Sequence, residues 1–142
     1  MTAKEDTIGN RSPDSSRARD ADPIVLGGLI AIGLYLVSIS LLMIVSPGTF
    51  YEEIGPFNER SDHYIRDGAT FGMALGILAL LAVRRPSWRV PTVFVLLLNF
   101  IFHALNHLAD INEADPAWLG PADFLGLAAG SALLAWMLIR LR

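Results

Sequence analysis

PIVLGGLIAIGLYLVSISLLMIV, residues 23–45, runs 23 positions without a charged side chain. A hydrocarbon core about 30 Å thick is crossed by about 20 residues of α-helix, so this stretch is long enough to span a bilayer. Asp22 stands where an N-cap belongs, and Pro23 falls at the first helical position, where its missing N–H costs nothing. The run is too long for the apolar core of a cleavable signal, and Val45-Ser46-Pro47-Gly48 lacks a small-x-small cleavage pattern. It reads as an uncleaved anchor.

Three more apolar runs follow. Gly68–Val83 is only 16 residues, too short to cross unless the helix extends backwards through Tyr64, Ile65, Arg66 and Asp67, with Ser61 or Asp62 as cap. Arg84-Arg85-Pro86-Ser87-Trp88-Arg89 forms a tight turn into a third helix, with Pro91 tolerated in its first turn. The expectation is an all-α integral membrane four-helix bundle with helices at about 23–45, 64–83, 90–108 and 121–139. Residues 1–22, with a single β-branched aliphatic and no aromatic, read as a disordered hydrophilic tail before the 23–142 membrane domain. The Asn10-Arg11-Ser12 glycosylation match in that tail is of a kind common by chance.

The whole chain agrees with this division. Its 142 residues are 53% hydrophobic and 18% charged, with mean hydropathy +0.46, too apolar for an ordinary soluble domain. The charges cluster between the apolar runs instead of forming polar helix faces. A net charge of −3 and no basic stripe interleaved with aromatics exclude a nucleic-acid partner. With no cysteine there is no disulfide, thiolate ligand or thiol nucleophile.

Orientation follows from the basic residues. Nine of eleven (Lys4, Arg11, Arg17, Arg19, Arg84, Arg85, Arg89, Arg140 and Arg142) fall on the side that holds both ends; Arg60 and Arg66 fall on the other. Cytoplasmic loops collect Lys and Arg, so both termini are expected in the cytoplasm of a cell with the chain as a multi-pass protein of its membrane. The outer side takes nine of fourteen acids. Trp88, Trp118 and Trp136 sit near the expected boundaries, where indoles prefer to lie.

Two kinds of residue stand out within the helices. Gly68, Gly72 and Gly76 recur every fourth position on helix two, and Ala122, Gly126 and Gly130 on helix four, which allows close backbone approach within the bundle or between copies. Helix three carries Asn99, His103, Asn106, His107 and Asp110 in a stripe about 100° wide, expected to face the bundle interior because polar groups in lipid are costly. His63, Arg66 and Asp67 begin helix two and Asp123 begins helix four, both on the side where helix three ends. The expectation is therefore one ionisable layer near the outer face. His103 and His107 at i,i+4 can offer two imidazoles to a metal ion, with Asp67, His63 or Asp123 completing the shell; the glutamate of a zinc-protease motif is replaced by Ala104. Haem fits less well, since those two histidines share a helix and an opposed pair would need His63. A quinone-like or other amphipathic ligand exchanging protons with His and Asp is the third reading. A satisfied structural network, with Asp110 and Asp123 capping or solvated at the boundary, is the fourth.

The order of features resembles the small DoxX-like class of four-helix bacterial membrane proteins, over residues 23–142. The residues that carry the likeness are His63-Tyr64-Ile65-Arg66-Asp67-Gly68-Ala69, then Ala74-Leu75-Gly76, and Phe102-His103-Ala104-Leu105-Asn106-His107. The resemblance implies, as for some members, association with respiratory or redox membrane complexes. Two functions stand side by side: a membrane protein binding a ligand or cofactor at the His/Asp cluster, and a non-catalytic scaffold or accessory subunit of a larger complex or homo-oligomer. No motif names a reaction.

Overall fold

The computed structural model describes residues 22–142; the expected tail and its Asn10 match lie outside the described residues apart from Asp22. Five helices account for most of it: α1 (Pro23–Val45), α2 (Pro47–Glu53), α3 (Asp62–Arg84), α4 (Pro86–Ala109) and α5 (Leu119–Arg140). The protein is all-α, and α1, α3, α4 and α5 are long and apolar enough to cross a membrane.

Local chemistry sets the boundaries. The Ile24 amide donates to Asp22 Oδ1 at 2.9 Å, which makes Asp22 the α1 cap. Pro47 stops α1 by disfavouring helical backbone at Ser46 (φ −139°, ψ 69°) and starts the short α2, an element not anticipated from the sequence. α3 starts at Asp62 with Ser61 before it, so the backward extension is real, although Ser61 makes no side-chain cap bond. The six-residue turn expected between the second and third spans shrinks to Arg85 alone, because Pro86 is itself a favoured first helical residue. Starting α4 four residues early puts Pro91 in its second turn, where its missing N–H leaves the Ser87 carbonyl without its helical donor.

α1 packs along α3, and α4 along α5; contact between the two pairs is sparser. The glycines explain the first pairing. A Cβ on Gly76 would lie 2.9 Å from the Val37 backbone nitrogen and 3.0 Å from the Gly33 carbonyl oxygen, and one on Gly72 would lie 2.5 Å from Ser40 Oγ. Gly68 is looser, its nearest neighbour being Met43 at 3.7 Å. On α5, a Cβ on Gly130 would lie 2.7 Å from the Phe100 ring, whereas one on Gly126 would meet nothing within 4 Å. Gly126 makes no such close approach within one copy, because it lies on the exposed side of α5 while its neighbour Leu127 packs on the core.

The core lies toward one end. It joins Val25, Leu29, Ile32 and Leu36 of α1 to Ala79 and Ala82 from the last turns of α3, Val93, Leu96 and Phe100 of α4, and Leu134, Met137 and Leu138 of α5. Arg140 Nε meets Asp22 Oδ2 at 2.7 Å there, tying the end of α5 to the start of α1. The Arg140 hydrogen bond holds the Asp22 carboxyl below the usual aspartate range. Because folding lowers this pKa, the pair stabilises the fold above the unfolded value, about 3.9, and the contribution fades as pH falls through the folded value. Asp22→Asn is accordingly expected to melt slightly earlier than the parent at neutral pH, with the two melting curves converging in acid. A gap that persists in acid would count against the ion pair.

At the other end the connections are irregular. Phe57 and Ala114 form an isolated antiparallel bridge, and the Asp115 amide donates to the Pro56 carbonyl at 3.3 Å, which pins the α2–α3 connection to the α4–α5 connection. Asn58 takes a left-handed φ of 52°, a conformation its side chain tolerates. Arg60 ties Asp62 at 2.7 Å and Glu52 at 3.7 Å.

Candidate functional site

The buried residues of α4 are Arg89, Thr92, Val93, Leu96, Phe100 and Ala104. They occupy one face, and the polar stripe is centred to one side of it. At about 100° per residue His107 falls near the middle of the buried face and Asn99 and Asn106 at its edge. Asn99, His103 and Asn106 are exposed, while His107 and Asp110 are partly covered. The expectation that the whole stripe faces inward is thus corrected: His103 falls within the same arc as the buried residues yet is exposed at its depth, and of the stripe's imidazoles only His107 is partly covered.

His103 and His107 meet, with Nε2 atoms 3.1 Å apart and ring centroids 4.8 Å apart. One nitrogen must donate and the other accept, so the two rings share a proton along this line. The Phe57 and His107 rings stand perpendicular, with centroids 4.8 Å apart and planes at 89°. Behind that contact lies a cleft of about 190 Å³ lined by Phe50, Gly55 and Phe57 from the α2 side and Asn106, His107 and Asp110 from α4. His107 Nδ1 is buried and has no hydrogen-bond partner, which for a ring nitrogen marks a missing donor or acceptor.

The remaining residues divide into two groups. Asp123, half-buried in the first turns of α5, lies within electrostatic reach of His107, and Tyr35 of α1 within reach of Asp123. His63 instead meets Asp67 at 3.4 Å, one turn along α3, and the Tyr64 ring at 5.7 Å. Both His63 and Asp67 are exposed, as is Arg66. Among the described residues no three His, Asp or Glu side chains gather as a metal-holding group. The single layer of three histidines expected from helix direction therefore splits into an α3 pair and an α4–α5 group, and the set His103, His107 and Asp67 does not come together as metal ligands. Two helices can begin and end at one depth while presenting their polar faces in different directions.

Tyr35, Phe50 and Phe57 were not anticipated. Tyr35 had a signal, being the lone aromatic residue of its span; the two phenylalanines had none beyond lying in a connection. No protein-family description, no curated protein and no solved structure matches this chain.

Proposed function

We propose that this multi-pass membrane protein binds the polar head of an amphipathic, quinone-like ligand beside His107, with both of its termini on the cytoplasmic side. The observation that carries the reading is the buried, partnerless Nδ1 of His107, a residue that lines the cleft. A carbonyl or hydroxyl on the ligand would complete it, and the His103–His107 hydrogen bond gives a proton taken or released there a second nitrogen on which to reside. The Phe50 and Phe57 rings supply apolar walls. At about 190 Å³ the cleft is smaller than the roughly 300 Å³ of a site for a whole drug-sized molecule, so it suits one ring or headgroup with the tail left in lipid. A metal is the weaker occupant, since among the described residues no third protein donor joins the imidazole pair. The DoxX-like likeness and its redox association are compatible with this ligand class.

The test is a titration of the purified protein in lipid nanodiscs with a short-chain quinone, read by quenching of tryptophan fluorescence. Saturable quenching is expected, weakened about tenfold in His107→Ala, as for the loss of about 1.4 kcal/mol, and retained in His63→Ala. Equal titrations for the parent and His107→Ala would sink the reading.

The scaffold or accessory-subunit reading is second, and open space at Gly126 favours it. Ala122 and Ala129 are also exposed on α5, so a partner helix could approach there closely.

A further inference from the structure

The end of the molecule opposite the histidines carries charge that the described residues do not neutralise. Arg84 and Arg85 stand side by side at the α3–α4 turn, both exposed. Neither has an ion-pair partner among the described residues, where the ion pairs involve Arg60, His63 and Arg140. The helix termini at this end bring one acidic side chain among the described residues, Asp22, and Arg140 already occupies it at 2.7 Å.

Arg85 is also positioned. Its guanidinium carbon lies 4.4 Å from the centre of the Trp88 ring, on the next turn of chain. An indole at a helix boundary settles at headgroup depth, so stacking on it holds the Arg85 charge at that level. A guanidinium there presents paired N–H donors that match phosphate oxygens.

The buried Arg89 removes the feature that would oppose an anion. The carbonyl end of α3 carries partial negative charge and points into this turn. Arg89, 5% exposed, turns back onto it: Nε donates to the Ala82 carbonyl at 3.2 Å and Nη2 to the Val83 carbonyl at 2.8 Å. An anion arriving at the turn meets two guanidiniums without an ion-pair partner among the described residues and an α3 end that is already covered.

We propose that the α3–α4 turn is a site for the phosphate of a net-negative phospholipid headgroup, clasped by Arg84 and Arg85 and set at the right depth by Trp88. A zwitterionic head brings its own ammonium and gains less. This site is independent of the His107 cleft and of which side of the membrane it faces.

The experiment uses the Trp118→Phe protein, which leaves Trp88 and Trp136 as reporters at this end. It is placed in nanodiscs containing brominated phosphatidylglycerol or brominated phosphatidylcholine, and quenching gives the relative binding constant of the two lipids. Preference for phosphatidylglycerol is expected, falling roughly fivefold for each cation lost in Arg84→Gln and Arg85→Gln. Arg84→Lys/Arg85→Lys should keep most of the preference, and Arg60→Gln all of it. Equal quenching by the two lipids in the parent, or a preference unchanged in Arg85→Gln, overturns the proposal. Inorganic phosphate that abolishes the difference at constant ionic strength assigns the site to free phosphate and overturns the lipid assignment.

Discussion

Gly76→Leu should leave the protein unable to hold α1 against α3. A Cβ at this position meets backbone on two sides, the Val37 nitrogen at 2.9 Å and the Gly33 oxygen at 3.0 Å, besides Val37 Cγ2 at 2.9 Å. A side-chain tip can swing away; a helix backbone moves only with the whole helix. Overpacking of this kind costs typically about 1–3 kcal/mol, and even Gly76→Ala should lose about 2 kcal/mol on that scale. Leucine adds three more carbons to the same seam, so the expected result is aggregation or loss of the cooperative melt in detergent. Gly126→Ala is the matched comparison. Its Cβ meets nothing within 4 Å, and alanine improves helix propensity by up to about 1 kcal/mol, so its melting temperature should hold or rise. A Gly76→Ala protein that melts with the parent would show that α1 and α3 do not pack as described.

Arg89→Ala is expected to cost about 3 kcal/mol, from two hydrogen bonds made by a charged donor at about 1.5–3 kcal/mol each, which do not add fully. Replacing a buried ion pair by apolar residues is often neutral or stabilising. That does not apply here, because the acceptors are main-chain carbonyls that mutation cannot remove. The Ala82 carbonyl would keep the Arg85 amide at 3.3 Å, but the Val83 carbonyl would lose Nη2 at 2.8 Å. Arg89→Met, which fills the volume without the donors, should fall almost as far as alanine, and Arg89→Lys should recover part of the loss. Chemical or thermal unfolding in detergent micelles measures all three. A methionine variant as stable as the parent would make Arg89 a space-filling residue and not a clasp on α3.

Both predictions depend on neighbours far away in the chain, and this marks where the sequence was legible. The i,i+4 pairs His63–Asp67 and His103–His107 follow from spacing on one helix, and both occur. The backward extension of α3 followed from counting residues against a bilayer's thickness. The Phe57 contact with His107 was out of reach, because it depends on how the α2–α3 connection is pinned near Ala114. Arg89 could be counted as one more cation of the turn, but not as a buried one, since its burial needs α4 to start at Pro86 and lie back on α3.

The ionisable layer was the larger divergence. Depth can be read from distance along each helix, and it placed His63, His107 and Asp123 near one face. Rotation cannot, because it is set by the volumes a helix packs against. Leu96, Phe100 and Ala104 turn α4 so that His107 is partly covered, and His103 stays exposed, while close approach at Gly72 and Gly76 commits the opposite side of α3 to α1. By itself the sequence determined four membrane-length helices, their limits within a few residues and the segregation of charge to their ends, because hydropathy and proline chemistry act locally. Only the tertiary structure decided which polar groups share a cleft, which arginine is buried and which glycines are filled. Those outcomes depend on the shapes of helices brought together, and no single stretch of chain contains that information.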